Sequence, residues 1–286
     1  MTDIAVSQAP VPSSSWASNP AGHYGILGQL RSEWTKMRTV RSTVWSLVAT
    51  VVSVVGIGAL ATSLTAARWR SGGISDRIGF DPTARSLAGL FLGQIVIGVL
   101  GVLVMSAEYG TGTIRATLSA VPNRPLVLAC KAAVFAFVAL VVSEVLTFSA
   151  FFLGQALLKG STPYATISDP GVLRSVAGAG LVLALLGLFA LGLATIVRHT
   201  AGAIVTYVGL LLVLPLIIQA FPTSIERNLI RFTPFLIART MAAPRPLTGD
   251  FGGGAAFSPW AGFGLLCAYT AAALIIGGIL MVRRDA

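Results

Sequence analysis

The sequence predicts an all-α membrane protein: six transmembrane helices preceded by an amphipathic interfacial helix at the N-terminus. Three observations carry that expectation. Of 286 residues, 55% are hydrophobic and only 10% are charged, whereas a soluble domain is about a quarter charged. The mean hydropathy is +0.83. The apolar residues also gather into six stretches, each near the roughly 20 residues an α-helix needs to cross about 30 Å of hydrocarbon.

Residues 1–25 are rich in Ser, Pro and Ala and show no apolar periodicity, which predicts a disordered tail. They have neither the basic start nor the apolar core of a signal peptide. Residues 26–286 read as one six-helix transmembrane domain. At its start, Leu27, Leu30, Trp34 and Met37 recur at helical spacing, while Gln29, Arg31, Glu33, Lys36 and Arg38 fill the other positions. Such a helix lies in the headgroup plane, where a Trp is well placed.

The six spans are expected at about Val44–Thr65, Leu87–Ala107, Ala132–Leu158, Val176–Val197, Ala201–Phe221 and Trp260–Val282. The third is long enough to tilt or to project from the bilayer. An even count puts both termini on one side. The twenty Lys and Arg residues divide evenly between the two sides. The cluster Arg31, Lys36, Arg38 and Arg41 before the first span, with Arg283 and Arg284 at the end, turns the termini inward. The net charge of +10 is then that of span-flanking residues that meet anionic lipid. No basic stretch is interleaved with aromatics as nucleic-acid binding would require.

Glycines within the spans, among them Gly89, Gly93, Gly98, Gly101, Gly187, Gly192, Gly277 and Gly278, are expected to let helices approach closely. Pro215 is expected to kink the fifth span. The longest connection runs from Pro222 to Pro259. Its stretch NLIRFTPFLIARTM alternates basic and apolar residues and should lie on, or dip into, the outer interface, and TGDFGGGAAFSPW should be a flexible loop.

The sequence contains no phosphate-binding loop, no HExxH, no CxxC and no GxSxG. Cys130 and Cys267 are far apart, and His23 and His199 fall in a tail and a tight loop, so no metal set is expected. The chain offers no catalytic, cofactor-binding or metal-binding residues and is not an enzyme in its own right. Work done by this protein draws on an ion gradient or on another polypeptide.

The most distinctive stretch is SAEYGTGTIRATLSAVPNRPLVLACK, Ser106 to Lys131. Glu108 stands at a membrane end, Gly110 and Gly112 permit a sharp turn, and Thr113–Ala120 suits a short helix. Pro122 and Pro125 bracket Asn123-Arg124 and stop it, and Lys131 marks re-entry into the bilayer. Its physics fits a docking element and an ordinary loop equally well.

EWTKMRTVRSTVW (Glu33 to Trp45) and EYGTGTIRATLSAVPNRPLVLACK (Glu108 to Lys131) together resemble the ABC-2 type permease family. IRFTPFLIA, with Pro234, is similar more weakly. The resemblance implies the transmembrane subunit of an ATP-binding-cassette exporter in a bacterial cytoplasmic membrane, with both termini cytoplasmic. An Ala-, Val-, Arg- and Gly-rich composition fits a high-GC bacterial source. A second permease chain, identical or related, would complete the pathway. Two copies of a separate ATPase subunit would hold ATP and Mg, leaving no cofactor in this chain. The cargo would be an amphiphile moved outward: a drug, a peptide or a lipid-like compound. The loop that couples to the ATPase would comprise Glu108, Tyr109, Gly112, Thr113, Arg115, Pro122, Arg124 and Lys131. Glu33, Lys36 and Arg38, with Trp34 at the interface, would belong to the lead-in helix that also faces the ATPase.

Glu144 lies mid-span in VVSEVLTFSAFFLGQ, where an acid costs at least about 2–3 kcal/mol unless paired or neutral. It fits a substrate route or a structural carboxyl, with Gln155 as a lesser polar companion. It also supports an alternative function, a proton-coupled secondary transporter with Glu144 as carrier.

Overall fold

The computed structural model describes residues 25–69, 71, 79–120, 123–247 and 256–283. The expected N-terminal tail, Pro122, the Arg115 side chain, Arg284 and most of the Gly-rich loop lie outside the described residues. Among the described residues the fold is all-helical. Six helices are long and apolar enough to span a bilayer: Arg41–Arg68, Leu90–Gly110, Arg124–Leu158, Val172–Val197, Thr200–Gln219 and Pro259–Arg283. The chain is a multi-pass membrane protein.

The lead-in helix is Ile26–Thr39. Lys36 and Arg38 stand in its last turn, where cations complement the helix dipole. Val40 alone is extended (φ −76°, ψ 119°), and the first span begins at the next residue. The inward side of the lead-in helix is Gln29, Glu33 and Met37. Of the expected stripe, Met37 shares that inward side, Leu30 packs partly against the core, and Leu27 is 82% exposed. Ionic contacts made by Glu33 hold it inward beside Met37.

The first span carries a π-helical turn at Val52–Gly56. There the widened ladder presents carbonyls sideways, and Gly89 packs so closely that a Cβ would sit 2.2 Å from the Ser53 carbonyl oxygen. A short helix, Pro82–Ser86, precedes the second span, with the Asp81 side chain capping Thr83 and Ala84 N–H groups. Asp-Pro at N-cap and N1 is the sequence signal for it. In the fifth span, a second π turn at Gly209–Val213 accommodates Pro215. The expected disturbance therefore takes the form of a re-spaced ladder one turn before the proline.

The fourth span is the axis of the bundle, with 67% of its most apolar window buried against 22% for the first span. It packs on the second, third, fifth and sixth spans. Glycine makes this possible where the second and fourth spans meet: a Cβ on Gly101 would lie 2.0 Å from the Gly187 carbonyl oxygen. Between the fifth and sixth spans, Thr223–Ile230 and Pro234–Ala242 are short helices. The second buries Leu236, Ile237 and Met241, and Arg174 of the fourth span donates to the Met241, Ala243 and Pro244 carbonyls at its C-terminal end.

Backbone cannot yield as a side-chain tip can. Gly101→Val should therefore lower stability by about 1–3 kcal/mol, the usual cost of overpacking. Gly264→Ala in the sixth span, with nothing within 4 Å of the added Cβ, should be close to neutral. Thermal unfolding in detergent followed by tryptophan fluorescence checks the pair.

Candidate functional site

Four charged residues meet at the end of the bundle nearest the lead-in helix. Glu33 and Lys36 come from that helix, Glu108 from the last turn of the second span, and Lys131 from two turns inside the third. The Lys131 ammonium donates to Glu33 Oε2 at 2.5 Å and to Glu108 Oε1 at 2.8 Å. Lys36 donates to Glu33 Oε1 and Glu108 Oε1, both at 2.8 Å. Gln29 adds a hydrogen bond to Glu33 Oε1 at 3.3 Å. Two carboxylates and two ammonium groups leave the cluster neutral.

Burial makes this arrangement strict. Lys131 and Glu33 are each 2% exposed and Glu108 8%, so none can turn to water if a partner is lost. Glu108 Oε2 has no hydrogen-bond partner among the described residues, which adds to the cost of the site. Lys36 is half-buried. Burial alone would lower its pKa, but hydrogen bonds and charge from Glu108, then Glu33, outweigh that and raise it above the usual lysine value.

A second set of contacts ties the same end together. Arg124 donates to the Met281 carbonyl and Arg198 to the Leu280 carbonyl, each at 2.9 Å, closing the C-terminal end of the sixth span. Arg198 also lies over the Tyr109 ring at 5.5 Å. It adopts a left-handed conformation (φ 59°), uncommon for a residue with a Cβ, and with His199 it forms the whole link between the fourth and fifth spans. The sequence marks this role only by an Arg directly after a long apolar run.

The stretch from Ser106 to Lys131 is mostly helical. The second span continues through Glu108 and Tyr109 to Gly110, and the third starts at Arg124, capped by Asn123. Lys131 therefore does not mark re-entry from a loop. Gly112, at φ 71°, reverses the chain, and the short helix is Thr113–Ala120. Ile114 anchors it at 4% exposure, while Thr113 and Ser119 are exposed. In the lead-in helix, Arg38 is exposed and Trp34 packs on Phe137 of the third span, with ring centroids 6.3 Å apart.

At the opposite end, Gln155 donates to the Pro82 carbonyl at 3.1 Å and to Ser86 Oγ at 2.8 Å, and accepts from Ala165 N–H at 2.7 Å. It fastens the third span to neighbouring segments. Eleven residues separate it from Glu144, about 16 Å along a helix, so the two are not companions. Between the second and fourth spans and the Pro234–Ala242 helix lies a mainly apolar cavity of about 330 Å³, with Phe91, Leu186 and Phe235 on its walls and Gln94 and Arg239 as its polar groups. Among the described residues, no three His, Cys, Asp or Glu residues are gathered as a metal site would need.

No protein-family model matches this chain, and no curated protein matches it. The site is therefore read from its own geometry.

Lys131→Met leaves Glu33 and Glu108 buried without their shared cation and should cost about 3–5 kcal/mol. Lys36→Met, at the half-exposed edge, should cost less than that, because Lys131 still bridges both carboxylates. Because the Lys36 pKa is raised on folding, its contribution is complete below the unfolded value of 10.5 and is lost as pH rises through the folded value. Unfolding midpoints of wild type and Lys36→Met should therefore converge at strongly alkaline pH.

Proposed function

We propose that this chain is the transmembrane subunit of an ATP-driven exporter of the ABC-2 permease type. It works as a pair of permease chains with two separate ATPase subunits on the cytoplasmic face of a bacterial membrane. The observation that carries this reading is the convergence of the two stretches that resemble that family. Glu33 and Lys36 of one are in ionic contact with Glu108 and Lys131 of the other. Two segments 72 to 98 residues apart are thus held as one unit, with the Thr113–Ala120 helix beside it.

The geometry suits transmission of force. The short helix is joined to the second span through Thr111 and Gly112 and is seated by Ile114. A push on its exposed side passes into the ends of the second and third spans, because the buried cluster gives those ends no independent freedom. ATP binding and hydrolysis in the partner would supply the push. The apolar cavity between the second and fourth spans suits an amphiphile. Both termini and the ion cluster would face the cytoplasm.

Glu144 supports a second reading, proton-coupled transport, because its carboxyl has no hydrogen-bond or ion-pair partner among the described residues. A proton relay needs further ionisable groups at that depth, and the sequence places none beside it in the third span.

Glu108 and Arg124 are engaged inside the bundle, so exposed positions test docking more cleanly. Purified gently from its host, the wild-type chain should bring an ATPase subunit with it in stoichiometric amount. Thr113→Arg combined with Ser119→Arg should reduce that recovery at least about tenfold, a loss of about 1.4 kcal/mol, with the unfolding midpoint unchanged. Undiminished ATPase recovery with the double variant would remove the docking role.

A further inference from the structure

The third span carries polar fastenings at two depths: Lys131 in the ion cluster, and Gln155 at the opposite end. They are about 36 Å apart at 1.5 Å per residue. Glu144 lies between them, about 20 Å from the first and 16 Å from the second. It is half-buried, and its carboxyl group packs against the fourth span at Gly180. A Cβ on Gly180 would come within 2.6–2.9 Å of the Glu144 carboxyl atoms, so glycine is what leaves room for this acid. No hydrogen bond or ion pair reaches the carboxyl from any described residue, in contrast to Lys131 on the same helix, which meets two carboxylates.

The surroundings of Glu144 have a definite chemistry. Val141, Phe148 and Phe152 stand one turn before, one turn after and two turns after it on the same side of the helix. Val141 is 46% and Phe152 55% exposed, and the Phe148 and Phe152 rings are 6.3 Å apart. At this depth the charged form of the acid is favoured only beside a countercharge. The aromatic faces beside it attract cations and reject anions. An occupant of this face combines a positive charge with apolar bulk.

We propose that Glu144, Gly180 and the Phe148–Phe152 pair form a binding site for a hydrophobic organic cation entering from the bilayer. The inference deepens the exporter reading by giving its amphiphilic cargo a charge. The carboxylate supplies the countercharge, the rings supply the apolar wall, and Gly180 supplies the space.

The test is equilibrium binding of tetraphenylphosphonium to the purified full-length protein in uncharged detergent, with neutral triphenylphosphine oxide as control. Wild type should bind the cation saturably and at least tenfold more tightly than the neutral analogue. Glu144→Gln should abolish that preference. It breaks no contact, so its unfolding midpoint should match wild type. Gly180→Ala, which pushes the carboxyl from its place, should weaken cation binding while leaving Glu144 ionisable. Equal binding of both probes, or unchanged cation binding in Glu144→Gln, would overturn the site. So would a change of oligomeric state in Glu144→Gln without loss of cation binding, which would give this face to a second copy of the chain. Recovery of the ATPase from the same preparations separates the two proposals. An ATPase without cation binding leaves the exporter reading standing and removes this site, whereas cation binding without an ATPase does the reverse.

Discussion

Three charges, those of Glu33, Glu108 and Lys131, can be removed from water at this depth only if they are removed together, and the architecture of one end of the molecule follows from that constraint. Lys131 is far enough inside the third span that it cannot reach solvent. It is tolerable there because Glu33 and Glu108 both meet it. Each acid is in turn tolerable because the same lysine, with Lys36, neutralises it. A buried ion set of this kind is poor evidence for net stability, since apolar replacements of equal volume often do as well. What it does specify is register. The lead-in helix has one rotation and one depth at which Glu33 meets Lys131, and the sharp corner at Val40 then fixes where the first span begins.

The same end shows how the remaining spans are brought to a common level. Arg124 and Arg198 close the last carbonyls of the sixth span from the third span and from the link after the fourth. Tyr109 receives Arg198 on its ring. The second, third, fourth and sixth spans are thereby joined by polar contacts near one membrane face. In the middle of the bundle, small residues govern the packing instead. With lipid as solvent there is little hydrophobic drive between helices, and close backbone approach at glycine provides the dispersion contacts. The first and fifth spans have apolar faces that the chain itself does not cover, as expected where lipid or a second chain completes the surface.

Much of this was legible in the sequence, for a physical reason. Span number and placement depend on the length of an apolar run, a one-dimensional property, and the observed helices match the expected ones to within a few residues at most ends. The early start of the third span is the exception. Arg124 and Lys131 look like boundary charges in a linear reading, and only their partners, Met281 and the two glutamates, make them compatible with a helix. The short helix Thr113–Ala120 was readable because glycine and proline mark both its ends. The burial of Glu33 beside Met37 was not, because hydrophobic periodicity ignores an ion pair to a residue 98 positions away. For the same reason Glu33, Lys36, Glu108 and Lys131 could be singled out individually but not assembled. Arg198, Arg174 and Ser86 act through carbonyls and side chains remote in sequence, and no local pattern announces them.

Glu33 and Lys131 act as one buried unit that joins the lead-in helix to the bundle. A double-mutant cycle on unfolding free energy, using Glu33→Gln, Lys131→Met and the combination, measures this directly. Contacting charges in one network should show a coupling energy of at least about 2 kcal/mol, with the double variant more stable than the sum of the single losses predicts. A coupling near zero would mean that the lead-in helix is not held by this cluster, and would contradict the account.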